Sequence, residues 1–187
     1  NETLYNLLCG AGCGFSVQLQ HIENLPKMAV INELNVVYYS IEDSIAGWAE
    51  ALKALLYSHV DGTYVIFDYS KIRAAGEPLK TSGGKAPGPL GLMRALERIR
   101  IILTSAAGRR LRSIEVYDVM CHAADAVLSG GVRRSAMICL FSIDDLEMIN
   151  AKTGDWYKTH PWRQNSNNSV ILLRGDIKKR QFKRIFD

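Results

Sequence analysis

No stretch of about 18 consecutive apolar residues occurs in the 187-residue chain, so no segment reads as a membrane-spanning helix. The opening Asn1-Glu2-Thr3-Leu4-Tyr5 lacks the basic-then-apolar order of a signal peptide. These absences predict a cytoplasmic protein with no membrane partner. Cysteine is scarce: Cys9, Cys13, Cys121 and Cys139 are too few and too scattered for a secreted disulfide scaffold. Charge of one sign is also lacking, since 23 Lys and Arg face 19 Asp and Glu for a formal net charge of +4. That balance suits anionic nucleotides but is too mild and dispersed for a nucleic-acid-binding stripe. An initial Met is missing and the chain opens inside a helical pattern, which predicts a piece of a longer protein.

What is present is a globular composition. Hydrophobic residues make up 48% and charged residues 22%, enough for one core and hence one domain or part of one. Mean hydropathy near zero argues against disorder. Strand-like and helical segments alternate along the chain, which predicts an α/β fold. Leu4, Leu7 and Leu8 end a short helix that Gly10 and Gly12 stop. A Gly-rich turn, Cys9-Gly10-Ala11-Gly12-Cys13-Gly14, then leads to an alternating strand at 15–19. Val36-Val37-Tyr38-Tyr39 is strand-like. Asp43 is the expected N-cap of an amphipathic helix with Ile45, Trp48, Leu52, Leu55 and Leu56 on one side. A continuous apolar, β-branched run at 64–69 predicts a buried strand. Helices follow at 90–103 and 113–128, and a strand at 136–141. A short acidic helix at 143–149 is expected to use Ser142 as N-cap, a polar loop at 154–166 to expose or cap with Trp156, Tyr157, His160 and Trp162, and a last strand to run at 170–173. The basic amphipathic tail at 178–186 reads as part of a surface helix.

Candidate chemistry concentrates in two loops. Residues 72–89 follow a strand, precede a helix, and combine Gly and Pro with the cations Arg73 and Lys80. This is no P-loop, because Leu79 stands where its first Gly belongs and Ala86 follows Lys85 where Ser or Thr is needed. Arg73 and Lys80 nevertheless suffice to hold a triphosphate at the mouth of a sheet. In the second loop, Ser129-Gly130-Gly131-Val132-Arg133-Arg134-Ser135 joins a helix to a strand. Its glycines allow close backbone approach to a ligand and its guanidiniums suit phosphate. A helix C-cap followed by a solvated arginine pair fits the same residues. No metal site is expected. Cys9 and Cys13 lack a second pair at ligand spacing, Cys121 and His122 lack partners, and Asp144, Asp145 and Glu147 fit stabilisation of a helix dipole better than a hard cation.

Loop 72–89, the run Ser129-Gly130-Gly131-Val132-Arg133-Arg134-Ser135-Ala136, and Asn167-Asn168-Ser169-Val170 occur here in the order and approximate spacing of a known family. Together they resemble the catalytic subunit of ribonucleotide reductases, most closely the adenosylcobalamin-dependent (class II) branch, where Asp43-Ser44-x-x-Gly47-Trp48 also has common counterparts. The resemblance implies that residues 1–187 form a partial domain of the family's ten-stranded α/β barrel. Residues 72–89 would be specificity loop 1 and 129–135 specificity loop 2. It implies effector binding by Arg73, Lys80 and Ser129, and substrate binding by Gly12, Cys13, Gly14, Gly130, Gly131 and Arg133.

The implied chemistry is reduction of a ribonucleotide 2'-hydroxyl by a thiyl radical, with two further cysteines supplying electrons and adenosylcobalamin generating the radical. The family's Asn-x-Cys-x-Glu segment is absent and its redox cysteine is unmatched. The chain therefore holds no catalytic residue, is expected to bind no cobalamin alone, and is predicted to be inactive in isolation. Its implied partners are a ribonucleotide substrate, a deoxynucleotide effector and the remainder of the reductase chain. Monomeric class II enzymes carry a long insertion near 21–39, of which almost none is expected here, so a second copy in a homodimer would complete the effector site. Two rival classes remain open: a stand-alone or split nucleotide-binding regulatory module without catalysis, and a basic nucleic-acid binder.

Overall fold

The computed structural model of the protein describes residues 1–79, 84–128, 136–175 and 177–186. Helix α1 (Glu2–Leu8) leads to strand β1 (Gly12–Ser16) and the single-turn α2 (Leu19–Ile22). Strand β2 (Asn32–Ser40), helix α3 (Ile45–Asp61) and strand β3 (Thr63–Asp68) form a β-α-β unit, followed by α4 (Leu90–Ser105) and α5 (Ser113–Leu128). Strand β4 (Ala136–Ser142), α6 (Leu146–Ile149), α7 (Trp156–Thr159), a 3-10 turn (Pro161–Asn165), β5 (Ser166–Ile171) and α8 (Lys179–Phe186) come last.

The strands make two parallel sheets, one in the order β1-β4-β5 and one of β2 and β3. Parallel neighbours need crossover connections, and the helices supply them, as the α/β expectation requires. The core is the meeting of apolar helix stripes. Leu92, Leu96, Ile99 and Leu103 on α4 are 0–2% exposed, and each contributes about 1.5–3 kcal/mol by leaving water. Tyr117, Cys121 and Ala124 answer from α5, and Leu52 and Leu55 from α3. Helix α1 packs on α3 and α5 through Leu4, Leu7 and Leu8, which ties the two sheets' supports together. Arg100 anchors α4 to β3: Nη2 donates to the Val65 carbonyl at 2.8 Å, and the guanidinium lies 5.1 Å from the Tyr64 ring centroid.

Several element boundaries differ from expectation, each for a local reason. The first strand begins at Gly12, inside the expected Gly-rich turn, because Gly12, Cys13 and Gly14 pair with Ala136, Met137 and Ile138. It ends at Ser16, whose hydroxyl accepts from the Gln18 backbone N–H at 3.2 Å and turns the chain into α2. Ser44 rather than Asp43 caps α3, its Oγ accepting from Gly47 N at 2.9 Å. Asp145 rather than Ser142 caps α6, because the Ser142 hydroxyl is taken by the Leu19 N–H at 3.0 Å. The expected 154–166 loop is two short helical turns, and the last strand starts at Ser166 because β4 pairs with it from there. Among the described residues no helix is long and apolar enough to cross a membrane.

Candidate functional site

Alternation along the three-stranded sheet sorts its side chains into two faces. Cys13, Phe15, Met137, Cys139 and Phe141 turn toward the helices; Gly12, Gly14, Ala136, Ile138 and Asn167 lie on the opposite, open face. On that face the register aligns Gly14, Ile138 and Asn167 across all three strands, and Gly12 with Ala136. A Cβ at Gly14 would meet Ile138 Cγ2 at 3.4 Å, so the missing side chains leave a low backbone floor beside Ile138, which is 41% exposed. The triplet expected at the substrate is therefore divided. Gly12 and Gly14 offer open backbone, while Cys13 points away, its Sγ donating to the Thr3 carbonyl at 3.8 Å.

The thiols on the packed side are poor nucleophiles. Burial pushes Cys13 and Cys121 up from the ordinary thiol range, and Cys139 up to about 12. Thiolate character is what makes cysteine reactive, and these sites suppress it. Cys121 and His122 are both buried, as expected of a structural pair.

Behind the sheet lies a polar network that the sequence pattern did not announce. Asp118 on α5 accepts a bidentate pair from Arg163, Nε to Oδ1 and Nη2 to Oδ2, both at 2.8 Å, and the Trp162 indole N–H at 2.8 Å. Arg163 Nη1 reaches the Ala151 carbonyl at 2.9 Å, and Tyr117 donates to the Arg163 carbonyl at 3.1 Å. Asn165 bonds to Asp125 at 2.6 Å and to the Cys121 carbonyl at 3.2 Å. Trp162, expected to be exposed or capping, is thus a strut that fixes where β5 begins. Only the bidentate match of a buried Arg and Asp could have flagged it, and no spacing rule pairs residues 45 positions apart.

The second candidate site is the loop after β3. Its described part forms a narrow hairpin: Gly76 N–H donates to the Ala86 carbonyl at 2.9 Å, Ala86 N–H to the Glu77 carbonyl at 2.7 Å, and Leu79 N–H to the Gly84 carbonyl at 3.0 Å. Gly88 closes the base with φ +70°, where a Cβ would stand 2.9 Å from Ala75 N. Arg73 is half-buried there, its Nε donating to Asp43 Oδ2 at 2.6 Å. Lys80, Ser129, Gly130, Gly131 and Arg133 lie outside the described residues.

The connection between α4 and α5 is basic but structural. Arg109 forks onto both Glu115 oxygens at 2.7 and 2.8 Å, and the Arg112 N–H adds a bond at 2.8 Å. Burial alone would raise the Glu115 carboxyl, but these bonds outweigh it and hold the group at about 2. Of the acidic trio, Asp145 caps α6 and Glu147 pairs with Arg112. Among the described residues no cluster of three or more His, Cys, Asp or Glu could hold a metal ion. A cleft of about 290 Å³ is lined by Arg94, Arg98, Asp125, Trp162 and Gln164.

Residues 18–103 match the family model described as B12-dependent ribonucleotide reductase, insertion domain. The adenosylcobalamin-dependent ribonucleoside-triphosphate reductase of Lactobacillus delbrueckii subsp. bulgaricus is 32% identical over 201 residues, covering 89% of this chain and 27% of that protein. The enzyme of the same description from Euglena gracilis is 38% identical over 142 residues, covering 73% of this chain and 19% of its own length. The chain thus spans about a quarter of the length of the curated relatives it matches. A crystal structure of B12-dependent (class II) ribonucleotide reductase shares the fold, with a TM-score of 0.78 and 24% identity over 91% of this chain and 28% of that one. The match at 18–103 corrects the expectation of almost no insertion. The 201 aligned positions exceed this chain's 187 residues, however, so the bacterial relative carries segments that this one lacks.

Proposed function

Since the chain belongs to the B12-dependent ribonucleotide reductases, we propose that it serves as the nucleotide-handling part of such an enzyme's catalytic chain. In this reading residues 1–187 are a partial domain of the ten-stranded barrel. The open face at Gly12 and Gly14, with the backbone of Cys13 and with Gly130, Gly131 and Arg133, meets a ribonucleotide. Arg73, Lys80 and Ser129 meet the phosphates of a deoxynucleotide effector, and the loops at 72–89 and 129–135 link the two ligands. The observation that carries the reading is the register of β1 on β4. It sets Gly12 opposite Ala136, the residue that directly follows the 129–135 loop, and Gly14 opposite Ile138. Two stretches more than a hundred residues apart in sequence thereby share one open sheet face.

Radical generation by adenosylcobalamin and reduction at the ribose belong, in this reading, to residues outside the chain, and the chain alone does not turn over. The test is Gly12→Val in the full-length reductase. A branched side chain on the open face should abolish or sharply reduce ribonucleotide reduction while deoxynucleotide binding persists. Unchanged turnover would refute the assignment of that face to the substrate, and deoxynucleotide formation by the isolated chain would refute its dependence on the remainder. The rival reading, a regulatory module without catalysis, predicts that no full-length context restores turnover.

A further inference from the structure

We infer that the cleft between α4 and the 3-10 turn before β5 binds a small organic phosphate, whose phosphate group Arg94 and Arg98 share and whose flat body rests against Trp162. The inference stands apart from the nucleotide sites proposed above and uses none of their residues.

Helix geometry builds the site. Residues 91, 94, 95 and 98 fall on one side of α4, next to the stripe of Leu92, Leu96 and Ile99 that enters the core. Gly91 and Ala95 are small, so the two arginines rise from a low floor and share a space of about 290 Å³ with Pro161, Trp162 and Gln164. That volume stands at the lower end of small-molecule sites, about 300–1,000 Å³. Trp162 is a fixed wall: its indole N–H is taken by Asp118 at 2.8 Å and its ring packs on His122 with centroids 4.6 Å apart. It therefore presents ring and no donor, which suits a flat apolar body.

The charges in the cleft do not balance. Like charges one turn apart on a helix repel, and among the described residues Arg94 has neither an ion pair nor a hydrogen bond. Glu97, the acid nearest on the helix, is engaged by Arg100 at 3.6 Å. Asp125, the cleft's one carboxylate, is divided among Asn165 Nδ2 at 2.6 Å, Arg98 Nη1 at 3.4 Å and His122 Nδ1 at 3.5 Å. Two guanidiniums thus share a fraction of one acid, and a phosphate has the oxygens to meet both forks.

A second observation lies behind the wall. The His122 side chain is 4% exposed, yet its Nδ1 has no hydrogen-bond partner among the described residues. Buried polar atoms are ordinarily satisfied. The nearest acceptor is Asp125 Oδ2, the oxygen that Arg98 holds, so an anion that draws Arg98 away frees that oxygen for the His122 N–H.

The test is calorimetric binding of phenyl phosphate and of inorganic phosphate to the full-length reductase. Phenyl phosphate should bind about fivefold more tightly than inorganic phosphate, because only it has a ring to set on Trp162. Arg94→Ala should weaken phenyl phosphate about tenfold. Asp125→Asn keeps the shape and removes the competing charge, and should tighten binding about threefold. Glu97→Gln makes the same change in net charge outside the cleft and should stay within about twofold, as should Arg73→Ala, which leaves this site untouched whatever it does to a deoxynucleotide. No binding of phenyl phosphate at low-millimolar concentration, or binding that Arg94→Ala leaves intact, would overturn the inference. So would inorganic phosphate binding as tightly as phenyl phosphate, which would make the cleft a bare-ion contact, or Glu97→Gln tightening as much as Asp125→Asn, which would reduce the effect to net charge. None of these outcomes bears on the substrate face or the effector loop.

Discussion

The two sheets of this molecule are built alike and finished differently. Both are parallel, and parallel strands are ordinarily covered on both faces. The β1-β4-β5 sheet is covered on one face by helices and braced from behind by the Asp118–Arg163 network. Strand β2, in contrast, is exposed along nearly its whole length: Leu34 is 93% and Tyr38 78% exposed, and only Tyr39 joins the core. Where the chain completes its own burial, it can afford an open face of bare glycine backbone. Where it does not, its tight contacts gather at one end of the unit, at the turn that grips the loop after β3.

The greatest expected effect lies behind the first sheet. Asp118→Ala would strand the Arg163 guanidinium, 10% exposed, without its bidentate partner and leave the Trp162 N–H unpaired. Breaking one side of a buried pair costs about 3–5 kcal/mol, against which typical domain stabilities leave little margin. Urea denaturation should show a loss of that order. A cost below about 1 kcal/mol would mean that the network does not brace the sheet.

Glu115 offers a second measure of the same region, through pH. Its carboxyl sits at about 2 in the folded protein against an ordinary 4.5. A depressed carboxyl stabilises the fold fully above its unfolded value, and that contribution is lost as pH falls through the folded one. Wild type should therefore lose on the order of 2–3 kcal/mol relative to Glu115→Gln between about pH 5 and pH 2. Parallel acid limbs for the two proteins would show that the Arg109 and Arg112 bonds do not hold the carboxyl down.

The second unit has one comparably stiff place. Gly47→Ala would drive a methyl into the Glu42 carbonyl oxygen, a backbone atom that cannot swing aside. Overpacking of this kind costs about 1–3 kcal/mol. Thermal unfolding should register it as a lowered midpoint. A neutral Gly47→Ala would mean that the turn has slack, which would weaken the contrast between a loosely covered strand and a rigid clamp.

How far each region was legible follows the same division. Helix periodicity placed α4 and α5 almost to the residue, because Leu92, Leu96, Ile99 and Leu103 owe their burial to a stripe that the sequence displays directly. The start of β1 was misplaced because Gly12, Cys13 and Gly14 have no strand propensity of their own; pairing with β4, contributed by residues 136–138, makes them a strand. Arg163 and Asp118 were invisible for the same reason, being partners only in three dimensions. Arg73 was correctly marked as a cation near a loop, but its acid came from a residue read as a helix cap. That choice between Asp43 and Ser44 turns on one hydrogen bond to Gly47, below the resolution of a capping rule that favours both residue types. The run Val36-Val37-Tyr38-Tyr39 marked a strand correctly, yet β-branched and aromatic residues report a pleated backbone and not what lies against it.

The smallest expected effect sharpens that last point. Leu34 and Tyr38 stand almost wholly in water, so replacing either by Ser should change the stability of the purified protein by less than about 0.5 kcal/mol. The same change at Val65, which is 2% exposed on the neighbouring β3, should cost several times more, since it removes buried apolar surface and introduces a hydroxyl without a partner. Repeating the Leu34 and Tyr38 substitutions in the full-length reductase then distinguishes two causes of the exposure. A cost that stays negligible means the strand faces solvent there too. A cost that rises beyond about 1 kcal/mol means that the remaining three-quarters of the relatives' length supplies the missing cover, and the contrast between the sheets belongs to this segment alone.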